Sequence, residues 1–330
     1  MKVMNPLMNK AEYEKLQSEI LSWLPPAIID AHVHSSLALY EKPQRQFNKN
    51  LQIIYREDQP TLTSKTFGPL YPATKIIILG VPLPYSEAVP NRVNKDMQKQ
   101  DNPVLLLDDN VYNLRQHLAP NVIGLKAHWK LHNKPAGFSD IISEEKATFL
   151  EKNNLLLLIE CSDPPKSFDA LVEADKTYTF PIILPHMAFN HEGFVMSAQQ
   201  FMLSLTHHAK QYDVLNTLSD TDHIYFDVSM KPNYDLLQTG MAALGEKKIL
   251  FGTDFPFGLT PKFQEDREKI TNDAFWTVIR NIILGKRSAT DWLYYKNIYL
   301  LLWVLKQLCE TMDVDKEVLL LKNAQHLIKR

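Results

Sequence analysis

The sequence predicts an α/β fold: a closed (β/α)8 barrel, or TIM barrel, with an N-terminal helix and extra C-terminal helices. Three observations carry that expectation. Short apolar runs recur along the chain, each about a strand long. Most are apolar on both faces, as strands buried in a parallel sheet are. Between most pairs lies enough chain for a helix, and alternating strand and helix implies parallel pairing through crossovers. The runs are Ile28–Ser35, Lys75–Pro84, Pro103–Asp108, Val122–Trp129, Leu155–Ser162, Pro181–Ala188, His223–Ser229 and Lys248–Pro256. Eight of them favour a closed barrel over an open sheet.

Residues 8–23 place Tyr13, Leu16, Ile20 and Leu21 at helical spacing with charges between them. This predicts an amphipathic helix, which Pro25 and Pro26 stop. Helices are expected over Ser143–Asn153, Phe168–Lys176, Val195–Leu218 and Asn233–Gly245. Leu37–Thr74 has little periodicity and reads as a long loop after the first strand, a place for a lid or substrate wall. The tail from Pro261 to Arg330 reads as helices. Its apolar stretch Tyr294–Leu308 is broken by Lys296 and Asn297 and is too short to span a bilayer, so it predicts a buried helix. With no repeat or linker, the 330 residues are expected to form a single domain, residues 1–330. Single-domain barrels commonly exceed ~250 residues.

Composition excludes several classes. Lys and Arg total 36 against 38 Asp and Glu, and they are spread along the chain. That balance leaves no basic footprint for nucleic acid. Two cysteines, Cys161 and Cys309, are too few for a secreted disulfide scaffold. A reducing cytoplasm is the expected location. The N-terminus looks like neither a signal peptide nor a membrane span. Neither a membrane nor a nucleic acid is an expected partner. The expected partner is a small-molecule substrate, and the apolar C-terminal helices could hold a homodimer interface.

The chemistry starts at Ile28-Ile29-Asp30-Ala31-His32-Val33-His34. Side chains alternate along a strand, so Asp30, His32 and His34 are expected on one face. Two imidazoles at a strand end can converge on one cation. On its own such a pair is more often two unrelated histidines. Later strands add weight, because several apolar runs end in an ionisable residue: Lys126 and His128, Glu160, His186 and Asp254. Burying such groups is costly unless they are paired or bound to metal. Barrel active sites lie at these C-terminal strand ends.

Ile29–His34, Val122–His128, Ile182–His186 and Ile249–Pro256, with Leu321-Lys322-Asn323-Ala324 near the end, carry a family likeness in order and spacing. The chain resembles the amidohydrolase superfamily, in particular its amidohydrolase family 2 branch of metal-dependent hydrolases and decarboxylases. The resemblance implies that His32 and His34 are metal ligands. It implies that Asp254 is a ligand and proton acceptor, and that His186 is an acid, a polariser of substrate or a further ligand. The expected cofactor is a divalent metal, zinc first and manganese second, with one ion favoured over two.

Glu160 departs from the family, whose fifth strand ends in a histidine ligand. A His-His-Glu-Asp site is chemically open to it, and so is a changed or lost metal site. Lys126, carboxylated in some binuclear relatives, is favoured as a substrate contact. His128, Trp129 and Arg56 are further candidates for the pocket. Cys161, Cys309 and His207-His208 read as structural, and His191 as a minor candidate. Three readings stay open: a hydrolase of a small-molecule amide, lactone or ester; a decarboxylase of an aromatic or unsaturated acid; and a binding protein on an altered barrel.

Overall fold

A computed structural model describes residues 8–36, 70–82, 90–129, 137–161, 168–188, 215–229, 234–255, 257–259, 278, 281–282 and 289–329. Eight parallel strands follow one another around the sheet in chain order. They are β1 (Ala27–Ser36), β2 (Lys75–Pro82), β3 (Val104–Leu107), β4 (Val122–Trp129), β5 (Leu156–Cys161), β6 (Ile182–Leu184), β7 (Ile224–Asp227) and β8 (Ile249–Leu250). The sheet closes on itself. Ala31 N donates to Phe251 O at 2.8 Å, Asp254 N to His32 O at 2.8 Å, and His34 N to Phe255 O at 2.9 Å. All eight expected runs hold a strand, and several strands are shorter than their runs. The sixth run ends as strand at Leu184, and the chain then kinks through His186 and Met187, whose backbone is left-handed.

The helices are α1 (Lys10–Trp23), α2 (Pro90–Met97), α3 (Val111–Gln116), α4 (Glu144–Lys152), α5 (Asp169–Thr177), α6 (Tyr234–Leu244), α7 (Trp292–Met312) and α8 (Asn323–Ile328). Asn9 caps α1 reciprocally with Glu12: Glu12 N donates to Asn9 Oδ1 at 3.1 Å and Asn9 N to Glu12 Oε2 at 2.7 Å. Tyr13, Leu16 and Ile20 are its buried stripe. That stripe packs on α7, where the Tyr13 and Tyr299 rings meet edge-on at 5.6 Å. The expected buried helix is α7, and it buries even Lys296 and Asn297. The expected helix over Val195–Leu218 lies outside the described residues except for its last turn, and most of the Leu37–Thr74 loop lies outside them too.

Two apolar layers follow from strands that are apolar on both faces. An outer layer packs Ile28, Val33, Leu157, Ile159, Phe226 and Phe251 against the helices. An inner layer takes Ala31, Val81, Leu105, Leu158, Ile183, Tyr225 and Leu250, closed by Ala324 and Leu327 of α8. Asn323 anchors that closure at the start of β8, its Nδ2 donating to Ile249 O at 2.8 Å and to Glu246 O at 2.7 Å. No helix among the described residues is long and apolar enough to cross a membrane.

Candidate metal centre

The end of β1 departs from simple alternation. Asp30 pairs with Ile78 and Val33 with Gly80, so the register slips by one residue between them. Such a bulge re-aims the side chains beyond it. Ile29 and Ala31 belong to the inner layer and Val33 to the outer one. The expectation that Asp30 shares a face with His32 and His34 is therefore corrected. Asp30 instead clasps the seam of the barrel, accepting from Thr253 N at 2.9 Å, Thr253 Oγ1 at 2.6 Å and His32 N at 3.2 Å. Burial pushes its pKa up to about 7 against the pull of those bonds.

Past the bulge, His32 and His34 meet Asp254. His34 Nε2 lies 2.9 Å and His32 Nε2 3.5 Å from Asp254 Oδ1. All three residues are buried, and their donor atoms lie within 4.8 Å of one another. Asp254 follows β8 with φ 57°, the left-handed region. A non-glycine residue there costs roughly 1–2 kcal/mol. His186 and Met187 after β6 are left-handed too, at φ 56° and 57°. Strained backbone held by its surroundings collects at functional sites. The His186 ring centroid stands 5.0 Å from that of His32.

A carboxylate that the sequence reading passed over backs this group. Asp227, at the end of β7, lies 2.9 Å through Oδ2 from His32 Nδ1. Its Oδ1 accepts from His186 N at 3.2 Å, from Ser229 N at 2.9 Å and from Ser229 Oγ. The signal was present, since Asp227 ends Ile224-Tyr225-Phe226 as Asp254 and Glu160 end their own apolar runs. Gly252 allows the approach: a Cβ there would lie 3.0 Å from His32 Cβ and 3.5 Å from Asp227 Cβ.

Charge is tuned to match. Burial opposes the ionised forms of Asp227 and Asp254, but neighbouring imidazoles win. The charge and hydrogen bond of His32 bring Asp227 down to about 2. The His34 hydrogen bond, with the fields of His32 and His186, holds Asp254 well below the usual carboxylate range. Burial lowers His34 to about 4. His32 goes the other way: burial pulls it down, and the charge and hydrogen bond of Asp227 outweigh that and raise it.

These residues fit a metal ion. Ligation needs neutral imidazole and ionised carboxylate, which describes His34 and Asp254. His32 Nδ1 is spent on Asp227, the outer-shell arrangement that orients a ligating histidine. Among the described residues, its buried Nε2 has no hydrogen-bond partner.

The other expected site residues fall as follows. Lys126 is fully buried, with its Nζ 2.5 Å from Glu160 Oε2. Its charge reaches both His32 and His34. Among the described residues, Glu160 joins neither donor group. His128 pairs with Glu160 in register on β4 and β5. The side chains of Trp129 and Cys161, and all of Arg56, His191 and His207-His208, lie outside the described residues. Cys309 is buried on α7, with its thiol pushed up to about 12 by burial first and then by Asp315 and Glu310.

No family model and no curated protein matches the chain. Solved structures do match in fold. An amidohydrolase from Burkholderia multivorans with bound zinc is 10% identical, covers 92% of this chain and 99% of its own, and has a TM-score of 0.55. A "probable 2-pyrone-4,6-dicarboxylic acid hydrolase" from Acinetobacter baumannii with citric acid bound is 14% identical, with the same coverage and a TM-score of 0.53. Amidohydrolase 2 from Bifidobacterium longum subsp. infantis is 12% identical, again covering 92% and 99%, with a TM-score of 0.51. At these identities the likeness is one of fold.

Proposed function

We propose that this chain is a metal-dependent hydrolase of the amidohydrolase family 2 branch, with one divalent ion held by His32, His34 and Asp254. One observation carries the reading. Three buried donors from β1 and the end of β8, neighbours only because the barrel closes, bring their donor atoms within 4.8 Å of one another. They do so at the strand ends where barrel enzymes keep their chemistry. A divalent ion in such a site supplies Lewis acidity and a water acidified to near neutrality. Two imidazoles and a carboxylate suit zinc, and the Burkholderia structure of the same fold is described with zinc.

The chain's own residues divide the remaining work. Asp254, held ionised at neutral pH, is the base that takes a proton transiently during turnover. His186 exchanges a proton with the substrate or polarises it. Lys126 presents a positive charge to a substrate oxygen. Glu160 we assign to Lys126 as counter-ion and not to the metal. The second donor group, of His32, His186 and Asp227, we read as hydrogen-bonded backing, which supports one ion over two. Hydrolysis of an amide, lactone or ester is favoured over decarboxylation by the hydrolase description of the Acinetobacter structure of the same fold.

The test is elemental analysis of the purified chain, of His32→Ala and of Asp254→Ala, followed by a substrate screen. Stoichiometric zinc in the wild type and none in the variants is expected. Turnover is expected on lactones, amides or esters, with no carbon dioxide released from aromatic acids. A wild type that holds no metal after reconstitution sinks the reading. Carbon dioxide release without hydrolysis turns it into a lyase.

A further inference from the structure

Ser229 lies two residues past Asp227, buried completely, and neither the ligand set nor the substrate contacts use it. Its surroundings constrain every proton. Asp227 Oδ1 takes the backbone N–H groups of His186 and Ser229, which can only donate, so the carboxylate is the acceptor of this cluster. His32 Nδ1, 2.9 Å from Asp227 Oδ2, must therefore donate. Ser229 Oγ donates its one proton to Asp227 Oδ1. Toward His186 Nδ1, 2.8 Å away, the same oxygen can then only accept. The Ser229 carbonyl, 3.1 Å from the same nitrogen, also only accepts.

We infer that Ser229 is a positioning residue that ties His186 to the carboxylate orienting His32, so that one anion sets the tautomer of both rings. The chain of donors runs from His186 Nδ1–H to Ser229 Oγ–H to Asp227, and Asp227 receives His32 Nδ1–H on its other oxygen. Both neutral rings carry their proton on Nδ1, and Nε2 is the working nitrogen of each. The left-handed turn at His186 serves the same end. It brings His186 N to within 3.2 Å of Asp227 Oδ1, so backbone and ring are anchored to one group. For metal affinity the inference rests on the metal-centre reading above; for the tautomers it does not.

The experiment is long-range proton–nitrogen NMR on the full chain labelled with 15N-histidine and stripped of metal, at alkaline pH where the rings are neutral. Wild type, Ser229→Ala and Ser229→Thr are compared, and zinc affinity is measured in parallel. Both His32 and His186 are expected as Nδ1–H tautomers in the wild type. Ser229→Ala leaves the carbonyl of residue 229 to keep the His186 proton on Nδ1, and by removing the hydroxyl link it is expected to shift the Nδ1 resonances of both rings and to weaken zinc about tenfold, the low end for an outer-shell partner. Ser229→Thr, which keeps the hydroxyl, is expected to restore both.

A wild-type His186 with its proton on Nε2 overturns the coupling, and that measurement needs no variant. So does Ser229→Ala with the wild-type spectrum of both rings. A wild type with both Nδ1–H tautomers and no zinc affinity supports the coupling while sinking the metal-centre reading.

Discussion

Where the strands begin, Ala324 and Leu327 of α8 close the inner apolar layer, and Asn323 satisfies the carbonyls of Glu246 and Ile249. Where the strands end, His32, His34, His186, Lys126, Asp227 and Asp254 crowd together almost without solvent contact. Asp254, His186 and Met187 there take left-handed backbone within the site itself, whereas at the beginning of the strands positive φ is confined to the helix-to-strand turns at Asn154 and Gly245. The same strands thus serve opposite ends. One end is closed by packing, which lowers the free energy. The other holds groups costly to bury and tolerates strain, which the packed end offsets. Conservative changes at the two ends should separate stability from chemistry.

The largest expected effect is at the strand ends. Asp254→Ala removes a carboxylate from the three-donor group. Zinc affinity should fall by more than the ~10–100-fold that outer-shell losses cost, while urea midpoints stay near wild type. Calorimetric zinc titration beside urea unfolding checks both halves, and a large shift of the midpoint would erase the contrast between the two ends. At the opposite end, Leu327→Ala opens a cavity in the inner layer and should cost about 3 kcal/mol, with zinc affinity unchanged.

Glu160→Gln leaves the fully buried Lys126 ammonium without its counter-charge, so it should destabilise by about 3 kcal/mol or slightly less. Replacing the pair together, as Lys126→Met with Glu160→Leu, should recover most of that loss in the same unfolding assay. Asp227→Asn is subtler. It keeps the shape of the side chain and removes the charge that orients His32, so zinc affinity should drop ~10–100-fold by competition titration. The smallest effect belongs to Cys309. Its buried thiol, pushed up to about 12, should react with a thiol reagent at mildly alkaline pH only after denaturant is added.

Apolar runs made all eight strands legible, because a strand covered on both faces must be apolar on both. The buried character of α7 followed from the same pattern. The donor types at the strand ends were legible as well. What misled was local periodicity. Alternation put Asp30 beside His32, and the register slip that separates them arises from pairing of β1 with β2, far away in sequence. The reading of Pro181–Ala188 as one strand missed the turn at His186. Residue type does not disclose a left-handed φ that non-local bonds to Asp227 and Ser229 hold in place.

By itself, then, the sequence determined a parallel barrel and a stock of ionisable residues at its strand ends, since burial of apolar runs is a local demand. Only the tertiary structure decided which residues meet. Closure of β8 onto β1 joined Asp254 to His32 and His34, Gly252 let Asp227 reach His32, and Glu160 came to rest on Lys126. The physical reason is that a hydrogen bond or an ion pair depends on distances of a few ångströms between residues that lie on different strands, 34 positions apart for Lys126 and Glu160 and 195 for His32 and Asp227, and those distances exist only once the barrel has closed.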